Sequence, residues 1–447
     1  MVFQVIPLER LDATVTAPPS KPETQRAVLL ASLAKGPSRV ANALRSHETD
    51  AMVRACQRLG AQLEYIDGGW IITGCDFVPG HQPPAGTGDH HVWSAGSGLV
   101  ARIMTTLGAA IDAPVVVDGN NVLRGRVMAP LFRALERAGV RLSYFDRAGQ
   151  LPVISESTRF PGGLFELPGD VSSQFATALM MAAPFGERPT IIRMTRPVFS
   201  AAYLAQTLSA LARAGVMVES SPDYDEIIVH PGPVQAVDTV CGGDFTSASY
   251  LVAAAAILPS NLTIRGLDQQ SLQGERSILE AVANMGVSVT WSADSVTVSN
   301  PSGRLVGDFH VDVTDGPNIV PTLAAIGAFV EGSLTVTGGG LTRFHKSNRI
   351  EAMTAEMRRL GADIEPLSRE GHLDGFVVRG KSGYTGGIDL LDHGDHRNFM
   401  SLFVASLRCD RPNTIGGQLD VAQSFPDFFQ QFETAGYPVL VSAQAAE

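Results

Sequence analysis

The sequence predicts an α/β protein assembled from six repeated α/β units, with apolar helices packed inside sheets. Two observations carry this. An amphipathic helical pattern ending in Gly ahead of a short strand recurs six times, at Gly60, Gly139, Gly215, Gly286, Gly361 and Gly436, with spacings of 79, 76, 71, 75 and 75 residues. So regular a period marks repeats of one supersecondary unit, and Gly suits the left-handed position that ends a helix. Each unit also holds one Ala-rich segment that is apolar on nearly every face, the pattern of a helix buried all round.

Taken in order, Ser20-Lys21 lead into apolar residues 27–33, and the run from Met52 to Leu59 ends at Gly60 before the alternating Ala61, Leu63 and Tyr65. In the second unit Ser94-Ala95-Gly96-Ser97 precede residues 99–110, and in the third Ser172-Ser173-Gln174 precede residues 175–183. Gly243-Asp244-Phe245-Thr246-Ser247 open the fourth, before residues 250–258. Asp315-Gly316-Pro317-Asn318 precede residues 320–330, and Gly394-Asp395-His396-Arg397 precede residues 399–407. Ser, Asp and Asn in these places read as N-caps. Six such starts interleaved with Lys and Arg also offer free N–H groups and positive charge to a small anionic ligand. No GxGxxG opens a helix after a strand, so a dinucleotide-binding fold is not expected.

Composition bounds the function. At 447 residues two to four domains are expected, and 45% hydrophobic against 18% charged residues excludes extended disorder. A net charge of −11, with no long basic run, argues against a nucleic-acid or acidic-lipid surface. The four cysteines, Cys56, Cys75, Cys241 and Cys409, show no metal-ligand spacing and read as free thiols of a reducing compartment. No apolar stretch is long enough to span a bilayer, and a cytoplasmic protein is expected.

Four segments carry a resemblance: Pro18-Pro19-Ser20-Lys21 with Arg26, Val171-Ser172-Ser173-Gln174-Phe175, Gly243-Asp244 leading to Ser247-Ala248-Ser249-Tyr250, and Asp395-His396-Arg397. With the Gln273-Gly274-Glu275 turn and Ser424-Phe425-Pro426-Asp427-Phe428, the chain resembles the 5-enolpyruvylshikimate-3-phosphate synthase family from about Val5 to Gln431. The resemblance implies a two-domain, inverse α/β-barrel-like enolpyruvyl transferase fold. Residues 21–242 would form one domain of three repeats, and residues 1–20 plus 243–447 the other, with hinge crossings near Pro18 to Lys21 and Cys241 to Asp244. It also implies transfer of the enolpyruvyl group of phosphoenolpyruvate to a ring hydroxyl by addition and elimination, in a cleft closing between the domains. The partners would be phosphoenolpyruvate and a cyclic anionic acceptor such as shikimate 3-phosphate, with no metal or organic cofactor, in a monomer of the aromatic amino acid pathway.

Carried over by position, Lys21, Gly96, Arg126 and Gln174 match ligands of the phosphoenolpyruvate phosphate, and Arg349 and Arg397 match the pair holding its carboxylate. Planar guanidinium forks suit both groups. Arg26, Ser172, Ser173 and Ser200 match positions that hold the acceptor, as do Asn318 and His345. The departures fall in the same places. Pro22 removes a hydroxyl, Val100 stands where an arginine is expected although Arg102 lies two residues on, and Gln423 replaces a lysine that contacts phosphoenolpyruvate. Asn318 occupies the position of the catalytic aspartate, and an amide cannot act as a general base. His345 and Lys346 stand where a Lys and a Glu are expected. They are the first candidates for the proton transfers, ahead of Asp315, His396 and Asp395, with Lys21 beside them as a catalytic cation. Three readings stay open: enolpyruvyl transfer, favoured by the arginines; a dehydratase acting on a shikimate-like ring, favoured by Asn318, Lys346 and Gln423; and a binding protein without turnover.

Overall fold

The computed structural model describes residues 2–84 and 90–438. The chain divides into two compact units, Met1–Pro18 with Gly243–Glu447, and Pro19–Gly242. Each has its own hydrophobic core.

Helices in chain order are α1 (Lys21–Leu33), α2 (His47–Arg58), α3 (Gly98–Gly108), α4 (Asn121–Arg124), α5 (Ala129–Arg137), α6 (Ser173–Ala182) and α7 (Ala201–Arg213), then α8 (Phe245–Ile257), α9 (Ser277–Asn284), α10 (Val320–Gly327), α11 (Arg349–Leu360), α12 (His396–Leu407) and α13 (Phe428–Thr434). Each repeat pairs a buried helix (α1, α3, α6, α8, α10, α12) with an outer one. Every residue of α3, α8, α10 and α12 is buried, as all-round apolar segments require. The six glycines that end the outer helices all take positive φ, from +79° at Gly215 to +100° at Gly60 and Gly436, so each closes its helix in the left-handed region, and the first five turn the chain into the next strand.

Two expected boundaries are corrected. The fourth buried helix starts at Phe245, because Asp244 caps it by accepting from the Ser247 N–H at 2.7 Å. The fifth stops at Gly327, and Val330 opens the strand Val330–Thr337.

The strands repeat one plan. In Pro19–Gly242 the three sheets run Thr239–Val240, Lys35–Ala41, Gly69–Cys75, Gln62–Ile66; then His91–Trp93, Val115–Asp118, Val153–Ser155, Leu142–Tyr144; then Gly163–Pro168, Thr190–Thr195, Glu226–Val229, Val218–Ser220. In each the first pair is parallel and the rest antiparallel. The other unit repeats this with Leu11–Thr16, Ser260–Arg265, Ser295–Asn300, Ser288–Trp291, and with Leu305–Asp312, Val330–Thr337, His372–Gly380, Asp363–Arg369. Its third sheet is completed by the chain start, Val2–Val5 pairing antiparallel with Asn413–Gly416. The buried helices therefore lie against sheets, and their N-termini carry the polar residues singled out above.

Candidate active site

Within Pro19–Gly242 the candidate residues lie at the starts of α1, α3 and α6, with Arg126, between α4 and α5, reaching Gly98 at the start of α3. Ser20 caps α1, and Lys21 in its first turn donates from Nζ to Glu48 Oε2 at 2.9 Å. Glu48 lies in the first turn of α2, whose Ser46 and Thr49 form a capping box. Gln25 binds the Glu48 carbonyl and the Ser97 hydroxyl, both at 3.1 Å, which ties α1 to the first turn of α2 and the cap of α3. Nothing in the sequence signals Glu48 as a partner of Lys21, 27 residues away.

Gly98 lies at the arginine cluster. A Cβ on Gly98 would meet Arg126 Nη1 at 2.9 Å and Gln174 Oε1 at 3.2 Å, with Arg102 Nη1 closer still. Gly96 lies in the turn ahead of α3. Of Val100 and Arg102, the cluster holds Arg102. Val100 faces the core with no exposure, whereas residue 102 lies one turn after Gly98 on the same helix face. Arg102 donates from Nη1 to Gln174 Oε1 and from Nη2 to the Val127 carbonyl at 2.8 Å, and its guanidinium sits 5.1 Å over the Phe175 ring. Burial, reinforced by the Arg126 charge, pulls this group well below the usual arginine range. Two guanidinium groups held this close in a buried setting are a ready anion site.

Ser172 caps α6, accepting from the Gln174 N–H at 3.4 Å, and Ser173 opens the helix. Ser200 precedes α7 in the left-handed conformation, buried and without a capping hydrogen bond. Arg26 is buried and donates to Thr207 Oγ1 at 2.9 Å, to the Pro22 carbonyl at 2.9 Å and to the Tyr203 carbonyl at 3.3 Å. Burial lowers its pKa to about 10. These bonds make Arg26 a strut between α1 and α7.

In the other unit Arg349, the first residue of α11, is the hub. Its Nε donates to Asp395 Oδ2 at 2.8 Å and its Nη1 to Asn318 Oδ1 at 2.9 Å. Asp395 caps α12, accepting from the Arg397 N–H at 3.0 Å. Burial pushes the Asp395 carboxyl up, but the Arg349 and His396 charges and hydrogen bonds from Arg349 and the Arg397 N–H outweigh it and hold the group well below the carboxylate range. Asp395 thus serves as the ion-pair partner of Arg349 and the cap of α12. Tyr250 of α8 is fully buried, and burial, opposed by the Arg397 and Arg349 charges, pushes its hydroxyl up to about 12.

Asn318 lies in the 3-10 turn Pro317–Ile319, and its Nδ2 donates to Glu275 Oε1 at 2.8 Å. His345 and Lys346 are half-buried in the bend before α11. Gln423 donates from Nε2 to Asp420, and its Oε1 carries no hydrogen bond among the described residues. Asp315 is exposed, and the cap positions of the turn and of α10 fall on Gly316 and Ile319 instead. Sequence reasoning passed over Glu275 as a partner of Asn318, although the Gln273-Gly274-Glu275 turn stood out. Among the described residues no cluster of His, Cys, Asp and Glu could hold a metal ion, and no helix is long and apolar enough to cross a membrane.

Residues 5–432 match the family profile of EPSP synthase (3-phosphoshikimate 1-carboxyvinyltransferase). The 3-phosphoshikimate 1-carboxyvinyltransferase of Methanococcus maripaludis strain C7 is 34% identical over 436 residues, covering 97% of this chain and 98% of the relative. The protein of that name from Methanocaldococcus jannaschii is 33% identical over 436 residues, with 97% and 98% covered. A solved EPSP synthase structure from Acinetobacter baumannii superimposes with a TM-score of 0.81 at 23% identity, covering 98% of both chains, and so shares the fold. The chain belongs to the EPSP synthase (3-phosphoshikimate 1-carboxyvinyltransferase) family.

Proposed function

We propose that the protein transfers the enolpyruvyl group of phosphoenolpyruvate to a hydroxyl of shikimate 3-phosphate and releases phosphate. The observation that carries this reading is the paired guanidinium groups of Arg102 and Arg126, converging with Gln174 at the start of α3. These residues, with Lys21, are assigned to the phosphate of phosphoenolpyruvate. Arg349 and Arg397 are assigned to its carboxylate, Arg349 being held in place by Asp395. Ser172, Ser173 and Ser200 are assigned to the acceptor, with Arg26 as a positioning residue. The name shared by the relatives favours transfer over elimination or binding alone.

In the addition step the acceptor oxygen bonds to C2 of phosphoenolpyruvate and loses its proton, while C3 gains one. In the elimination step the bond from C2 to the phosphate oxygen breaks, C3 gives up a proton, and the phosphate takes one. His345 and Lys346 are assigned to these transfers, as half-buried groups on the bend leading to Arg349. The reading assigns the reaction to a monomer, and the four free thiols suit a reducing cytoplasm. Phosphate release dependent on shikimate 3-phosphate tests the reading.

A further inference from the structure

Asn318 stands where the reaction is expected to place a carboxylate, yet a carboxylate has not left the neighbourhood. Glu275, 1% exposed in the 3-10 turn Gly274–Arg276, accepts from Asn318 Nδ2 at 2.8 Å. The two turns are pressed together backbone to backbone. A Cβ on Gly316 would lie 2.9 Å from the Gly274 carbonyl oxygen and 3.1 Å from the Glu275 nitrogen, so only glycine permits this approach. On its other side the Asn318 amide oxygen accepts from Arg349 Nη1 at 2.9 Å. A carboxylate bound to one end of the amide and a guanidinium to the other leave it a single orientation, oxygen toward Arg349 and nitrogen toward Glu275. An aspartate at 318 would instead set two carboxylates against each other at hydrogen-bond distance, which is unfavourable when both are ionised.

We infer that Glu275 and Asn318 act as one unit in which the negative charge sits at 275 instead of 318, and that Glu275 is a positioning residue for the transfer reaction. It aligns the Asn318 amide, and through it Arg349, which keeps a neutral partner on one nitrogen and the Asp395 carboxylate on another. The inference rests on the enolpyruvyl transfer reading for its kinetic consequence. The coupling between the two side chains does not depend on that reading.

The test is a double-mutant cycle of Glu275→Gln, Asn318→Asp and the pair together, read by steady-state turnover of phosphoenolpyruvate with shikimate 3-phosphate and by thermal unfolding. Each single variant is expected to lower kcat roughly tenfold to hundredfold, the cost of a charge-assisted hydrogen bond, with the KM for phosphoenolpyruvate changed less than about threefold. The double variant, with amide and carboxylate exchanged, is expected to recover to within about threefold of the unaltered kcat, and its melting temperature to exceed that of either single variant. Unchanged kcat in Glu275→Gln, an effect confined to KM, or losses that simply multiply in the double variant would overturn the inference. No turnover by the unaltered protein would overturn the functional reading instead, and the melting temperatures would then decide the pairing alone, non-coupled values refuting it.

Discussion

Replacing Asp395 by Asn tests how Arg349, proposed to hold the carboxylate of phosphoenolpyruvate, is itself held in place. The Asp395 side chain has no exposure, and the Arg349 side chain paired with it is 4% exposed. The carboxylate accepts from Arg349 Nε at 2.8 Å, the Arg397 N–H at 3.0 Å and the Ser347 hydroxyl at 3.4 Å. Asn caps a helix about as well as Asp, so the substitution keeps the start of α12 and removes chiefly the charge. What remains is a buried guanidinium that donates to the neutral Asn318. Breaking a buried pair in this way costs about 3–5 kcal/mol. At roughly 2–4 °C per kcal/mol for a unit of this size, melting should fall by about 6–20 °C. Circular dichroism gives the melting curve, and hydrogen exchange should show faster opening of α11 and α12. The pH dependence has a fixed sign. Because the folded carboxyl is held below its unfolded value, its stabilisation is complete above pH of about 4 and is lost as pH falls through the folded value. Asp395→Asn should therefore flatten the acid limb of the stability curve. A variant within about 1 kcal/mol of the unaltered protein, with its acid limb intact, would refute the argument.

Two further predictions follow from burial. Arg102→Gln should raise the KM for phosphoenolpyruvate roughly tenfold to hundredfold while leaving that for shikimate 3-phosphate near its original value, since it removes a charged donor from the Arg126 and Gln174 cluster; equal effects on both substrates in steady-state kinetics would count against the assignment. Burial pushes the thiols of Cys56 and Cys241 up to about 12 and those of Cys75 and Cys409 up to about 11, so the native protein should resist iodoacetamide at pH 8 and label only on unfolding, as read by mass spectrometry. The same shifts make stability fall as pH rises from about 9, where unfolded thiols ionise, toward those folded values.

The six-unit plan was legible because it rests on local rules. A left-handed glycine ends each outer helix, and a helix apolar all round has to be buried, so Gly60 and Gly361 or residues 250–258 could be read without a structure. The candidate site was legible only in its residue types. Matching along the line could not show that the α-helical turn sets Arg102 beside Gly98, because that geometry is invisible to a residue-by-residue match. Partners far apart in sequence were missed altogether: Lys21 with Glu48, and Asn318 with Glu275, 43 residues away. The sequence showed Asn318 in place of the expected aspartate, but not that its amide is bonded to the Glu275 carboxylate of another turn.

The central claim is the transfer itself. Purified protein given phosphoenolpyruvate and shikimate 3-phosphate should release inorganic phosphate in step with an acceptor that gains the enolpyruvyl mass. Phosphate should stay bound to phosphoenolpyruvate when the acceptor is omitted. No phosphate release, with an acceptor that instead loses the mass of water, would contradict the account and make the protein a lyase on a transferase fold.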